Sequence, residues 1–233
     1  MSATTSQTSQ LKADGFATFS NVFDTDEIAE IETVIEKHRQ SQSGKSPGLR
    51  NIFSHCPEIK VLAQSDKLHK LATEILGENP VPINATLFDK TEESNWYVTW
   101  HQDRSIVVKN KIETPGFGPW SIKDKMNYVQ PPFQILEKVV AFRIHIDNCP
   151  EQNGAIKFVK GSHKHGFIEP EQINKWREGK EVVLCPAKAG DIIAMHPLIL
   201  HASSQVLEPT NRRVLHIEYS DAKLPNGLEW LFL

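Results

Sequence analysis

The chain is 233 residues long, enough for one β-rich domain with a sizeable core. Apolar residues make up 39%, charged residues 24% and the net charge is -3, which argues against nucleic acid or an anionic membrane surface as a partner. No apolar run reaches membrane-spanning length, and Cys56, Cys149 and Cys185 show neither close pairing nor zinc-ribbon spacing, so a reducing, cytoplasmic setting without a disulfide framework or cysteine-based zinc is expected.

Residues 1–10 are rich in Ser, Thr and Gln and read as a flexible tail, not as a secretion signal. Asp24-Thr25-Asp26 offers N-cap chemistry, and Ile28, Ile31, Val34 and Ile35 follow at helical spacing. After a polar break at residues 41–48, Ser65 opens a second helix with Leu68, Leu71, Ala72 and Ile75 on one stripe and Gly77 as its stop. The remainder reads as strands over 81–90, 96–105, 138–148, 155–160, 191–203 and 212–220, with a short surface helix over 169–179. Residues 106–132 contain Pro115-Gly116-Phe117-Gly118-Pro119-Trp120 and read as a long loop, a candidate lid. The expected fold is α+β and mainly β: one domain over 1–233, with N-terminal helices and then an antiparallel sandwich or barrel.

Alternation along the strands predicts which side chains share a face. Val140, Phe142, Ile144 and Ile146 oppose Arg143 and His145; Arg213, Leu215, Ile217 and Tyr219 oppose Arg212, Val214, His216 and Glu218. Thr99, His101 and Asp103 fall opposite Val98 and Trp100, and Asn84 and Thr86 opposite Ala85 and Leu87. Such a pattern fits a sheet with one solvated face, or one with its apolar face under the helices and its polar face lining a cavity. His101, Asp103 and Arg212 on polar faces favour the cavity.

His101-Gln102-Asp103 puts an imidazole and a carboxylate on one strand face, and a distant histidine can complete the facial two-histidine, one-carboxylate set of non-haem Fe(II) oxygenases. His196 and His201 both qualify, five positions apart with Pro197 between them, and spacing does not choose. An iron site of this kind needs electrons to activate O2. A 2-oxoacid supplies them, and its far carboxylate needs a fixed cation, for which one of the adjacent Arg212 and Arg213 serves.

Taken in order, Phe88-Asp89-Lys90, Asn95-Trp96, Trp100-His101-Gln102-Asp103, Ile146-Asp147-Asn148-Cys149, Asn153-Gly154, Gly161-Ser162-His163, Gly190-Asp191, His196-Pro197-Leu198, His201-Ala202-Ser203 and Arg212-Arg213 resemble the phytanoyl-CoA dioxygenase family. The resemblance covers about residues 81–220 and implies a double-stranded β-helix (jelly-roll) core there. It implies Fe(II) on His101, Asp103 and His201, with His196 a neighbour and not a ligand. It also implies 2-oxoglutarate anchored by Arg212, with contacts from Ser203 and Thr86, and O2 as oxidant with ascorbate in support. Gly161-Ser162-His163 is expected to be structural. The carboxylate at 103 favours hydroxylation over halogenation. The implied activity is hydroxylation of a small organic metabolite with release of succinate and CO2. Alternatives are desaturation, epimerisation or ring closure by the same class, or a non-catalytic metal and 2-oxoglutarate-binding module. Arg143, His145, Trp100, Phe117 and Trp120 are the candidate substrate contacts.

Overall fold

The computed structural model describes residues 5–40, 48–90, 95, 97–205 and 212–233. Residues 1–4 of the expected tail, residues 41–47 of the polar break and Trp96 lie outside the described residues. The first part of the chain is helical around two short strands: α1 (Thr5–Asp14), β1 (Phe16–Phe19), α2 (Thr25–Gln40), β2 (Gly48–Arg50), α3 (Ile52–His55), α4 (Pro57–Ala63) and α5 (Asp66–Leu76). There follow β3 (Val81–Lys90), β4 (Val98–His101), β5 (Ile106–Val108), β6 (Trp120–Lys123), β7 (Met126–Val129), α6 (Phe133–Leu136), β8 (Val139–His145) and β9 (Ile156–Val159). The chain finishes with α7 (Ile173–Arg177), β10 (Val182–Cys185), β11 (Ile192–Met195), β12 (His201–Ser203) and β13 (Arg212–Ser220).

The large sheet runs β1-β11-β8-β13-β3-β2 and a smaller one runs β10-β9-β12-β4, each with antiparallel neighbours. The two face each other as the jelly roll, with a cavity between them lined from both. Helix α2 starts on a reciprocal cap: Asp24 Oδ1 accepts from Glu27 N–H and Glu27 Oε2 accepts from Asp24 N–H, each at 2.9 Å. Its Ile28, Ile31 and Ile35, with Leu68, Leu71 and Ala72 of α5, bury the outer face of the large sheet. That face is made of Ala85 and Leu87 of β3, Val140, Phe142 and Ile144 of β8, and Leu215, Ile217 and Tyr219 of β13, as alternation predicts. Tyr219 seals the contact by donating to the Ala63 carbonyl at 2.8 Å. No helix among the described residues is long and apolar enough to cross a membrane.

Four sequence expectations are corrected. Thr5–Asp14 is helix, not flexible tail: Leu11 is buried in the main core and Gln7 Nε2 donates to the Thr18 carbonyl at 2.9 Å. Residues 106–132, expected as one long loop, hold the three short strands of the antiparallel sheet β5-β7-β6, with residues 109–119 irregular between β5 and β6. It stands because Ile106, Val108 and Val129 join Phe117 and Trp230 in a second buried cluster. Residues 191–203 are two strands in different sheets, since the chain leaves the large sheet after Met195 and enters the small one at His201. The strand expected over 96–105 stops at His101. Its pairing with β12 slips, His201 opposite His101 but Ser203 opposite Val98, so Val98 takes the cavity-facing place that strict alternation gives Thr99.

Candidate metal centre

His101 ends β4, Asp103 follows it, and His201 opens β12 directly opposite His101. Asp103 Oδ1 lies 3.6 Å from His101 Nε2, and Asp103 Oδ2 lies 3.6 Å from His201 Nε2. Among the described residues these three form the cluster suited to a metal, their ligand atoms all within 4.8 Å of one another. The other ring nitrogens fix the tautomers. His101 Nδ1 is 2.8 Å from the Thr99 carbonyl and His201 Nδ1 is 2.9 Å from the Ile199 carbonyl. A carbonyl only accepts, so each Nδ1 donates and each Nε2 turns a lone pair toward Asp103, the state a divalent metal requires. This donor set fits Fe(II).

The backbone around the cluster is clamped. Asp103 N–H donates to the Pro197 carbonyl at 2.9 Å, tying the motif to the turn that precedes His201. Gln102 donates to the carbonyls of Gly166 and Leu198 at 2.8 and 2.7 Å and accepts from Ile168 N–H at 2.9 Å. Ser162 Oγ accepts from Leu200 N–H at 2.7 Å, which gives Gly161-Ser162-His163 a structural task beside His201. His196 is turned away: its Nδ1 accepts from Leu198 N–H at 3.1 Å, its ring lies on His163, and burial pushes it down to about 3. Burial likewise lowers His201 to about 4, against the pull of Asp103. Burial alone would raise Asp103, but His201 and His101 hold it below its usual value.

A cavity of about 410 Å³ opens onto the cluster, within the range of small-molecule sites. Arg212 lines it, and its cross-strand partner on β3, Lys90, is buried behind the lining; they are 3% and 0% exposed. Arg212 donates to the Gly154 carbonyl, and its Nε is buried without a partner among the described residues. Lys90 Nζ donates to Ser203 Oγ at 3.2 Å and to the Ser204 carbonyl at 2.8 Å. Burial, then Arg212 and Arg143, pull Lys90 down to about 7. Arg213 takes the opposite face, in a fork with Asp147 at 2.9 and 2.7 Å and bonds to Glu32 at 2.6 Å and Glu36 at 3.2 Å.

Of the remaining candidates, Thr86, Ser203 and Arg143 line the cavity. His145 does not; it is buried behind the lining, with both ring nitrogens unpartnered among the described residues, and is pushed down to about 3 by burial and then by Arg143 and Arg212. The three aromatics are also elsewhere. Phe117 and Trp120 pack in the second cluster, because their segment folds as its own sheet. Trp100 packs beside Ile168 and Leu200 with Arg177 stacked on its ring. The three-stranded sheet β5-β7-β6 instead offers Tyr128 and Lys123 to the cavity, joined by Arg50, Phe88, His216 and Glu218. His216 and Glu218 were legible from the alternation that carries Arg212, and Lys90 from that carrying Thr86. Arg50 and Tyr128 arrive through tertiary packing and leave no local signal.

Comparison with known proteins finds related chains and folds. The phytanoyl-CoA dioxygenase of Arabidopsis thaliana is 24% identical over 186 residues, 75% of this chain and 55% of that protein. The chain spans about half the length of the curated relatives it matches. The non-haem, α-ketoglutarate-dependent carbocyclase SnoK of nogalamycin biosynthesis superposes with a TM-score of 0.75 at 13% identity, over 99% of this chain and 87% of that one. HygX from Streptomyces hygroscopicus, solved with nickel and 2-oxoglutarate, gives 0.69 at 15% identity over 94% and 88%. At such identities the likeness to solved structures shows the fold. The family described as Phytanoyl-CoA dioxygenase (PhyH) matches residues 11–214, and the chain belongs to that family.

Proposed function

We propose that the protein is an Fe(II)- and 2-oxoglutarate-dependent oxygenase that hydroxylates a small organic metabolite. The observation that carries this reading is the pairing of two features in one cavity: His101, Asp103 and His201 with converging lone pairs, and the buried Arg212 on the same lining with Lys90 beside it. His101, Asp103 and His201 hold the metal. Arg212 binds the far carboxylate of 2-oxoglutarate, with Lys90 and Ser203 beside it and Thr86 on the wall. Iron with 2-oxoglutarate and O2 supplies the oxidising power, released with succinate and CO2. The protein's own contribution is to fix both histidine tautomers, position the co-substrate and hold the reaction in a recess away from bulk water. Asp103 keeps a carboxylate where halogenation would need room for chloride. Three free, buried cysteines fit a reducing, cytoplasmic setting.

The test is substrate-stimulated succinate release from a panel of small metabolites with Fe(II), 2-oxoglutarate, O2 and ascorbate. His101→Ala and Asp103→Ala are expected to abolish succinate formation. Full activity in either variant overturns the ligand assignment. The likeness to the carbocyclase SnoK supports a second outcome, ring closure, which product mass separates from hydroxylation by the missing oxygen atom.

A further inference from the structure

Arg143 sits at the centre of the cavity floor, in a cross-strand row with His216 of β13 and Ile193 of β11. It is 6% exposed and has no carboxylate within ion-pair distance among the described residues. One terminal nitrogen donates to His216 Nδ1 at 3.4 Å, and the guanidinium lies over the Phe88 ring at 5.4 Å. Its Nε is buried without a partner among the described residues. A guanidinium has no acceptor, so His216 Nδ1 must accept, which places the His216 proton on Nε2. That nitrogen points at Glu218 Oε1, 3.5 Å away, and Glu218 Oε2 accepts from Asn84 Nδ2 at 3.3 Å. Glu218 thus reaches Arg143 only through an imidazole, and it orients the arginine more than it neutralises it. A buried charge left so thinly paired is unfavourable unless something binds it.

The far carboxylate of 2-oxoglutarate falls to Arg212, whose place on β13 lies four residue steps, about 13 Å of backbone, from His216, the cross-strand partner of Arg143. One guanidinium with no carboxylate within ion-pair distance among the described residues balances one carboxylate and leaves the second charge of a phosphate ester uncompensated. On the reading of the site given above, we propose that Arg143, oriented by His216 and Glu218, docks a carboxylate of the primary substrate, making the substrate class small organic acids.

The test uses the full chain loaded with Zn(II) in place of iron, so that nothing turns over. A first titration measures 2-oxoglutarate; failure of the wild type to bind it overturns the functional reading and this inference with it. A second measures, by ligand-observed NMR, a panel of aliphatic and aromatic monocarboxylates, the primary amide of each, and inorganic phosphate. The wild type is expected to bind the best carboxylates at least tenfold more tightly than their amides. Arg143→Gln is expected to erase that preference while changing 2-oxoglutarate affinity less than threefold, and Arg143→Lys to keep part of it. Arg143→Gln is also expected to melt no lower than the wild type, the reverse of what loss of a structural arginine gives. Should Arg143→Gln fail to fold, the wild-type and Arg143→Lys preferences decide. Equal binding of acids and amides by the wild type, a preference for phosphate over every carboxylate, or a loss of 2-oxoglutarate affinity matching the loss of carboxylate affinity would each overturn the proposal.

Discussion

Arg212 and Arg213 are neighbours in sequence, and their replacement by glutamine is expected to have opposite effects. Arg213 is 4% exposed and is the hub of Asp147, Glu32 and Glu36, with Asp89 opposite it on β3. Removing it leaves those carboxylates crowded, with Arg39 still holding Asp89 at 2.8 Å. Breaking a buried ion pair costs about 3–5 kcal/mol. Glu32 and Glu36 are 45% and 41% exposed, so their share is screened and most of the loss comes from the Asp147 fork. A net loss of about 2–4 kcal/mol follows, and at about 2–4 °C per kcal/mol the melting temperature of Arg213→Gln falls by roughly 4–16 °C. Arg212 is equally buried but makes its bond to a carbonyl, and burial already lowers its pKa. Arg212→Gln therefore removes an under-paired charge at little cost in stability, while 2-oxoglutarate affinity falls by about 10–100-fold, the worth of a charge-assisted contact. Scanning calorimetry and titration of the Zn(II)-loaded protein read both effects. If Arg213→Gln weakens 2-oxoglutarate more than Arg212→Gln does, or if Arg212→Gln melts lower than Arg213→Gln, the assignment of the two faces of β13 is wrong.

Three further expectations follow from the same structure. Lys90 is held near 7 against an ordinary value of 10.5, so between those limits the unfolded chain carries the extra proton and this group's contribution to stability rises with pH, while below about 7 its full penalty stands. Co-substrate binding runs the other way, because the dianion favours the charged amine: 2-oxoglutarate affinity should fall above pH 7, Lys90→Met should remove that slope, and a wild type with flat affinity from pH 6.5 to 8.5 would count against the contact. Zn(II) at a hundred times its dissociation constant should stabilise the fold by about 2.7 kcal/mol, and an Asp103→Ala protein that gains as much in a melting scan would place the metal elsewhere. Gly190 has φ +89°, and an added Cβ would lie 2.2 Å from the Phe23 carbonyl oxygen, so Gly190→Ala should cost more than about 2 kcal/mol in denaturant unfolding.

What the sequence made legible divides along physical lines. Strands β8 and β13 pair on both sides in the large sheet, and one face of each is sealed under helices, so the alternation of Val140, Phe142 and Ile144 against Arg143 carries through unbroken. Alternation failed where pairing is interrupted. The slip between β4 and β12 exchanged Val98 for Thr99, and the change of sheet between Met195 and His201 made the spacing of His196 and His201 meaningless as strand parity. Short edge elements such as β1 and β2 were invisible because four and three residues carry too little pattern. The aromatics around residue 117 read as loop residues in sequence, yet Phe117 is buried with Trp230 and Val129, and Trp120 packs against the same cluster. Lys90 shares the strand face of Thr86, yet a strand-end lysine ordinarily faces water. Here the neighbouring sheet's Ser203 and the Ser204 carbonyl receive it.

The cavity's two ends belong to unequal partners. His101 and His201 come from a sheet whose strands are three or four residues long, whereas Arg212 and Lys90 come from strands of nine and ten. Short ladders open easily, and long central ones open only with the whole fold. A diacid reaching from the metal to Arg212 is then a cross-brace that lends the stiffness of one wall to the other. Amide protons at residues 98–103 and 201–203 should exchange more slowly once metal and 2-oxoglutarate are both bound, while those of β8 and β13 stay as they were. In that state the flimsier wall is rigid only when both reagents are aboard, which confines a well-formed oxidising site to the moment it can be used.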